Sequence, residues 1–274
     1  MKDPNKITPE EELSFVMGGE VNVRHDPWWW LVAGVIGLVI LLVLVQPDPF
    51  KDLVVFARDG IAITILVTVS SYLLMLVLGL VGGLGRLAKN KIIFGISTLY
   101  VEIVRGVPLL VQLIGWYFAS PVLIQQIGTW LNFVPLMEYR ANPILTAIMA
   151  ITVCYGAYMS EIVRAGIQSI PKGQMEAARS LGMSHFQAIR FVVLPQAFRV
   201  ILPPMGNEFI ALLKDSSLVS VVAVADLTRR GREFMSANFN PIETWTMVAL
   251  LYLIMTLVAA RLVSYIEKKT RYER

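Results

Sequence analysis

The stretch WWWLVAGVIGLVILLVLV, Trp28–Val45, carries no charged residue and begins with three tryptophans. As a helix it would measure about 27 Å, close to the roughly 30 Å hydrocarbon core of a bilayer. Tryptophan is enriched at the headgroup level of membranes, where its ring meets both lipid and water. The stretch therefore predicts a transmembrane helix.

The rest of the chain has the same character. Its 274 residues are 56% hydrophobic and 16% charged, whereas soluble domains have roughly 25% charged residues. Only helices and closed barrels satisfy backbone polar groups in lipid, and apolar runs of about 20 residues are twice the length of a barrel strand. The sequence therefore predicts an all-α, polytopic membrane helical bundle. The runs expected after the first are 61–84, 97–118, 143–162, 199–222 and 244–265.

The first run is predicted to be an uncleaved anchor and not a secretory signal. A mostly polar segment precedes it, and no small-residue cleavage site follows in residues 46–48. We expect a cytoplasmic tail over residues 1–27, an extra transmembrane helix over 28–46, the main bundle over 60–267 and a basic cytoplasmic tail over 268–274.

Lysine and arginine predict the orientation in the membrane. With the amino terminus inside, the inner segments hold fourteen of these residues and the outer connections hold six. Cytoplasmic segments carry such an excess, so both termini are predicted to be cytoplasmic. Arg229, Arg230 and Arg232 disagree with this count, and we expect them to pack on protein instead of facing open solvent. The inner segments are 1–27, 85–96, 163–198 and 266–274.

Motifs for chemistry are almost absent. No GxxxxGK[ST] occurs, so the chain itself has no Walker-type ATP site. Gly83, Gly85 and Ala88 fit a weak dinucleotide pattern without a preceding strand, whereas Gly79 and Gly83 form a GxxxG that is typical of close helix packing. The single cysteine, Cys154, and two separated histidines make no ligand or nucleophile set. We therefore predict no catalytic residue and no metal site.

A long polar connection follows the fourth run, at about residues 163–198. Residues 174–180 are good helix formers, and Gly182 is a helix stop signal. A second short helix is expected from Ser184 to Leu194, running to Pro195. The sequence thus predicts a short amphipathic helix presented to the cytoplasm.

The helix over residues 174–180 has the features of a docking element. Ala177 and Ala178 are small enough to let another surface approach the backbone closely. Glu176 and Arg179 would fix the orientation of that surface through polar contacts. An ordinary solvated loop is the alternative interpretation.

Seven residues of this connection keep a fixed spacing. They are Glu176, Ala177, Ala178, Gly182, Val192, Leu194 and Pro195. The spacing resembles the EAA loop of ABC importer permeases, EAA-x3-G-x9-I-x-L-P, with Val192 in place of the isoleucine.

Two flanking stretches narrow the resemblance. YVEIVRGVPLLVQL, at 100–113, and NEFIALLKDSSLVS, at 207–220, are similar to the polar amino-acid branch that includes the histidine and glutamine permeases. The likeness covers about residues 60–267. The leading crossing and the acidic tail are departures from the five-helix core of that branch.

The resemblance implies a permease subunit of an importer that moves polar or charged L-amino acids across a bacterial cytoplasmic membrane. A second permease chain, identical or homologous, would share the path, and an extracytoplasmic binding protein would deliver the substrate. ATP and Mg would bind a separate ATPase subunit, and this chain would hold no cofactor. The ATPase-docking residues would be Glu176, Ala177, Ala178, Arg179 and Gly182. A self-sufficient secondary carrier of amino acids or ions is the alternative class, although such carriers usually show repeated halves.

Polar residues gather in the fifth apolar run. Charged groups at bilayer depth cost about 2.5 to 3.5 kcal/mol and are a functional hypothesis by default. Two pairs, each seven residues apart, fall on helical stripes about 100° apart and form a polar arc that we expect to border the substrate path. The members are Asn207, Glu208, Lys214, Asp215, Ser216 and Ser217.

Two interpretations of this arc remain open. Glu208 could face the ammonium of an amino acid while Asn207 or Ser217 binds its carboxylate. In the other interpretation, Glu208 or Asp215 pairs with Lys214 or with Arg105 and only fastens the helices together.

The third run adds further candidates. Glu102 and Arg105 are one helical turn apart and are predicted to form a structural ion pair near the cytoplasmic face. Pro108 is expected to kink the helix and to free a carbonyl group. This makes Gln112 and Tyr117 secondary candidates for lining the path.

Overall fold

The computed structural model describes residues 28–270, and in this part of the chain the regular structure is helical. Predictions about residues 1–27 and 271–274 lie outside the described residues. Six helical segments are long and apolar enough to cross a membrane, which confirms the predicted all-α membrane bundle. These segments are Trp28–Val45, Pro47–Gly85, Leu109–Leu131, Pro143–Gln168, His185–Val222 and Pro241–Thr270.

The α-helices of the described part are numbered in chain order. They are α1 (Trp28–Val45), α2 (Pro47–Gly85), α3 (Lys91–Gly106), α4 (Leu109–Ile114), α5 (Ser120–Leu131), α6 (Val134–Met137), α7 (Pro143–Gln168), α8 (Lys172–Ser180), α9 (His185–Ala188), α10 (Leu194–Asp215), α11 (Leu227–Asn238) and α12 (Pro241–Thr270). Turns of π-helix join α4 to α5 and α9 to α10, and a 3-10 segment, Ser216–Val222, extends α10.

The centre of the bundle is the pair α2 and α7. A Cβ atom on Gly79 would lie 2.2 Å from Met159 Cγ, and one on Gly83 would lie 2.8 Å from the Ser160 carbonyl oxygen. The two helices run parallel, because contacts that move forward along α2 also move forward along α7. Glycine is therefore required where the backbones meet, which confirms the predicted packing face at Gly79 and Gly83.

The second span is longer than its apolar run predicts. It begins at Pro47 instead of at residue 61. Its first turns carry Lys51, Asp52, Arg58 and Asp59, so a count of apolar residues could not include them.

The prediction for the third run is wrong in its boundaries. Helix α3 ends at Gly106, Val107 is extended at φ −111° and ψ 131°, and α4 starts after Pro108. A residue before proline avoids the helical region, so Val107 breaks the helix instead of bending it. The membrane candidate is Leu109–Leu131, while α3 is a separate helix that packs on α7.

The second short helix of the polar connection does not stop at Pro195 as predicted. It passes through the π-turn Ile189–Val193 into α10, which also contains Pro203 and Pro204. Pro195 lies in the first turn of α10, and the π-turn before it changes the local hydrogen bonding. The connection and the fifth span are therefore one continuous helical element.

Helix α1 lies at the periphery, against α12 and α2. Within it, Val32 alone is buried. Trp28 Nε1 donates a hydrogen bond to the Leu257 carbonyl oxygen at 3.4 Å, and Arg261 Cζ lies 5.6 Å from the centroid of the Trp29 ring. The extra helix predicted ahead of the core is thus present as an added outer layer.

Candidate functional site

A cavity of about 240 Å³ lies among α4, α7 and α10. Two carboxyl groups of α10 reach it, because their seven-residue spacing puts them on one stripe of the helix. Two tyrosines of α7 form the facing wall. The lining residues are Leu109, Cys154, Tyr155, Tyr158, Glu208 and Asp215.

Asp215 is held in place by the opposite wall. Tyr155 Oη donates a hydrogen bond to Asp215 Oδ2 at 2.7 Å, and the tyrosine itself is 6% exposed. Since α7 belongs to the rigid central pair, this bond fixes the carboxylate relative to the core. The end of α10 is thereby aligned with the cavity.

Glu208 is half-buried and close to charges of both signs. It interacts electrostatically with Asp215 and with Arg105. Arg105 Cζ lies 5.1 Å from the centroid of the Tyr158 ring. Within the described residues neither Glu208 nor Asp215 forms an ion pair, so the fastening interpretation with Lys214 or Arg105 is not supported by contacts.

The other members of the predicted arc lie outside the cavity lining. Asn207 and Lys214 are exposed on other faces of the helix. Ser216 is buried and donates a hydrogen bond to the Leu213 carbonyl oxygen at 2.7 Å, while Ser217 is half-buried. The structure therefore brings together two of the six predicted residues.

The side chain of Gln112 satisfies backbone carbonyl groups at the break between α3 and α4. Its Nε2 donates hydrogen bonds to the carbonyl oxygens of Val104 at 2.8 Å and Val107 at 2.9 Å, and it contacts Cys154 Sγ at 3.5 Å. Carbonyls freed before a proline need such a partner in lipid. Tyr117 is half-buried and packs edge-on against Phe118, with ring centroids 4.9 Å apart.

The predicted Glu102–Arg105 ion pair is replaced by a different one. Glu102 binds Arg86 at 3.4 Å, and Arg86 also binds Glu161 at 2.5 Å. Arg164 contacts the same Glu161 carboxylate. The cause is the packing of the helices, because the end of α2 places Arg86 between α3 and α7, within reach of both glutamates. Arg105 instead stacks over the ring of Tyr158.

The tyrosines of the cavity were missed by sequence reasoning. Tyr155 and Tyr158 stand in a helix of small and apolar residues, where aromatic side chains usually belong to the core. The sequence feature that could have indicated them is their spacing of about one helical turn. It places both rings on a common face without indicating what they face.

Helix α8 is an exposed element with a defined end. Glu176, Ala177 and Arg179 face solvent, whereas Ala178 is 4% exposed and faces inward. Gly182 has φ +86°, a conformation that other residues rarely adopt. Its N–H bonds the Arg179 carbonyl at 3.0 Å, and the next N–H bonds the Ala178 carbonyl at 3.2 Å, which completes a Schellman cap.

The position of α8 is fixed by the helix that follows it. Ser184 and Gln187 form a capping box that starts α9. Gln196 Nε2 donates hydrogen bonds to Gln174 Oε1 at 3.1 Å and to the Val192 carbonyl oxygen at 2.9 Å. The first of these bonds joins α8 to α10, the helix that carries the cavity carboxylates.

At the other end of the bundle, Arg229 and Arg230 pair with protein carboxylates as predicted, whereas the prediction is wrong for Arg232. Arg229 binds Glu233 at 2.9 Å, and Arg230 binds both Glu233 at 2.7 Å and Asp59 at 2.5 Å. Burial acts to raise the pKa of Glu233, but hydrogen bonds from the two arginines outweigh it and lower that pKa. Arg232 is exposed.

Comparison with known proteins identifies one family over most of the chain. The family described as "Binding-protein-dependent transport system inner membrane component" matches residues 75–272. The glutamine transport system permease protein GlnP of Escherichia coli is 36% identical over 213 residues, 78% of this chain and 92% of that protein. The arginine transport system permease protein ArgU of Corynebacterium glutamicum is 33% identical over 257 residues, 90% of this chain and 81% of that protein.

A solved structure that is similar in sequence and fold belongs to a transporter of the same kind as both relatives. It is described as "Crystal structure of an amino acid ABC transporter with histidines" and is 35% identical to this chain. It aligns with a TM-score of 0.70 over 83% of this chain and 97% of that chain.

Proposed function

The chain belongs to the family of binding-protein-dependent transport system inner membrane components, and we propose that it is the permease subunit of an ATP-binding-cassette importer for polar or charged L-amino acids. Relatives named for glutamine and arginine transport support the substrate class. The family is a transport component and not an enzyme. The self-sufficient carrier has no support among these relatives.

The observation that carries the mechanism is the exposed helix α8, which ends in the Schellman cap at Gly182 and is joined to α10 by the Gln174–Gln196 hydrogen bond. We assign its face with Glu176, Ala177, Arg179 and Gly182 to a groove of a separate ATPase subunit, which binds ATP and Mg. Ala178 faces inward and supports the helix from behind. When two ATPase subunits close, α8 moves, and the Gln174–Gln196 contact passes the movement to α10.

The cavity among α4, α7 and α10 is assigned to the substrate. An amino acid offers an ammonium group and a carboxylate. The cavity has two carboxylates for the first, and Arg105 lies beside its wall, over the ring of Tyr158, for the second. Glu208 and Asp215 would bind the ammonium, while Arg105, stacked over Tyr158, would bind the carboxylate. Two carboxylates against one guanidinium favour substrates with a positively charged side chain over anionic ones.

The remaining partners follow from orientation. With both termini cytoplasmic, α8 faces the cytoplasm and α11 faces the outside, where an extracytoplasmic binding protein would dock. A second permease chain, the same or homologous, would complete the path. The membrane is the cytoplasmic membrane of a bacterium, which the six apolar spans and the inner-membrane family support.

The deciding experiment is reconstitution in lipid vesicles. The chain is co-purified with its associated subunits, those subunits are identified by mass analysis, and uptake of labelled arginine, glutamine and glutamate is measured with and without ATP. We expect uptake that requires ATP and the ATPase subunit, with arginine preferred. Uptake by this chain alone, without nucleotide, would replace the proposal with the carrier interpretation.

A further inference from the structure

Helix α1 precedes residues 75–272, over which the family model matches, and its contacts are concentrated on one face. Val39, Leu42 and Val43 pack against a buried apolar cluster near the end of α1. Ile40, Leu41 and Leu44 stand on the opposite face and are 53%, 54% and 72% exposed. The helix thus has a protein-facing side and a lipid-facing side, although both are apolar.

The cluster beneath α1 joins α2, α11 and α12. Its buried members are Phe50, Leu53, Phe234 and Met247. Phe234 of α11 also packs on the ring of Phe56, with centroids 5.8 Å apart. Helix α11 therefore contributes Phe234 to the apolar cluster that α1 covers.

The start of α11 is locked to the core by a buried carboxylate. Asp226 is 0% exposed, accepts hydrogen bonds from the first N–H groups of α11 and accepts another from Tyr252 Oη at 3.2 Å. The Leu227 N–H donates to Thr64 Oγ1 of α2 at 3.1 Å. A Cβ atom on Gly60 would lie 3.0 Å from the Asp226 backbone, so α2 and α11 are in direct contact here.

The segment that precedes α11 connects it to the cavity residue Asp215. Residues 216–222 form the 3-10 extension between Asp215 and α11, and Val219 and Val222 of this extension are buried. Ala223 turns the chain with φ 63°. A buried stretch of backbone thus connects the start of α11 to the cavity carboxylate Asp215.

From these contacts we propose that α1 is a brace, which presses α11 against α2 and α12 and keeps the outer end of the substrate path closed until a binding protein moves α11. This regulatory role rests on the proposed transport function. Helix α1 would then have a regulatory function in addition to anchoring the chain in the membrane. Loosening the brace should let the outer end open without a delivered substrate.

The test uses two triple variants of the full chain. V39A/L42A/V43A removes the contact face of α1, and the matched control I40A/L41A/L44A removes at least as much apolar side chain from the lipid face. Amide hydrogen exchange over residues 227–238 is measured in lipid nanodiscs. Substrate-independent ATP hydrolysis is then measured in the assembled transporter.

We expect exchange in α11 to speed up by about tenfold in the contact-face variant and to stay unchanged in the control. ATP hydrolysis without substrate should rise about threefold in the first variant alone. Equal exchange in the two variants would overturn the brace, and faster exchange without a change in ATP hydrolysis would overturn its regulatory role. The exchange measurement needs no transport, so a wild-type assembly that does not transport would refute the proposed function separately.

Discussion

Glu208 is the residue on which the proposed substrate preference depends. It is half-buried beside a cavity, and within the described residues it forms no ion pair. A carboxylate removed from water without a partner is costly, and a bound ammonium would relieve that cost. Asp215 differs, because Tyr155 already satisfies one of its oxygens.

Replacing Glu208 by Gln should change which substrate is carried. The amide keeps the shape of the side chain and removes its charge, so we expect arginine uptake to fall about tenfold or more, with glutamine uptake largely retained. Glu138→Gln, at an exposed position, is the matched control. Poor expression with an unaltered preference would instead assign Glu208 a structural role.

The proposed docking of the ATPase subunit depends on the backbone conformation of Gly182. Its φ of +86° disfavours residues with a Cβ by about 1 to 2 kcal/mol, yet no atom lies within 4 Å of the place where a Cβ would stand. Gly182→Asp should therefore leave the bundle folded while straining the end of α8 and adding charge to the docking face. We expect the ATPase subunit to dissociate during size-exclusion chromatography.

Gly182→Asn serves as the control for this variant. Asparagine tolerates left-handed conformations better than most residues and adds no charge, so most of the ATPase association should be retained. If Gly182→Asp keeps a fully coupled complex, α8 is not the docking element.

Among the secondary-structure elements, the parallel pair of α2 and α7 makes the most extensive contact in the described bundle. Its contact surface combines small residues, such as Gly79, Gly83 and Ser160, with apolar side chains such as Met159. The small residues let the two helices approach closely where lipid supplies no hydrophobic drive between them. Ser71 Oγ donates to the Ile148 carbonyl at 3.4 Å within this surface. Helix α7 of this pair lines the cavity, and Arg86 at the end of α2 binds Glu161 of α7.

Adding one methyl group to this contact should destabilise the protein. In Gly83→Ala the new Cβ would lie 2.8 Å from both the Ser160 carbonyl oxygen and Val163 Cβ, an overpacking that costs about 1 to 3 kcal/mol. Gly95→Ala, where nothing lies within 4 Å, should be neutral or slightly stabilising. Thermal unfolding in detergent compares the two, and equal transition temperatures would show that the contact tolerates a side chain.

For the whole molecule, the predicted orientation can be tested with the single cysteine removed. In a Cys154→Ser background, Lys89→Cys and Arg232→Cys place one exposed thiol at each end of the bundle. With both termini inside, a membrane-impermeant thiol reagent added to intact cells should label the Arg232→Cys protein and leave the Lys89→Cys protein unlabelled until the cells are opened. The reverse pattern would put α8 outside and remove the basis for ATPase docking.

Most of the fold could be predicted, because apolar length alone identifies a membrane helix. The predicted helix boundaries are wrong where the apolar composition of a run does not match its backbone conformation. Val107 and Pro108 lie in an apolar run that does not continue as one helix. Pro195 resembles a helix stop signal but lies in the first turn of α10. Neither the π-turns nor the charged first turns of α2 leave a signal in hydropathy.

The candidate site could be predicted in part. The seven-residue spacing of Glu208 and Asp215 placed them together, since both lie on one helix. Arg105 was paired with its sequence neighbour Glu102, although its contact is Tyr158 on another helix. Partners between helices depend on packing, which a single sequence does not contain.

The parallel contact between α2 and α7 has a consequence for how the protein is made. Ser71 and Ile148 are 77 positions apart, so at 5 to 20 residues per second the ribosome needs roughly 4 to 15 s to supply the partner of α2. During that interval the glycine-lined face of α2 is in the membrane without the surface that it fits. We expect the translocon or an insertase to cover this face until α7 arrives, and chains that lose this protection to be degraded before a transporter assembles.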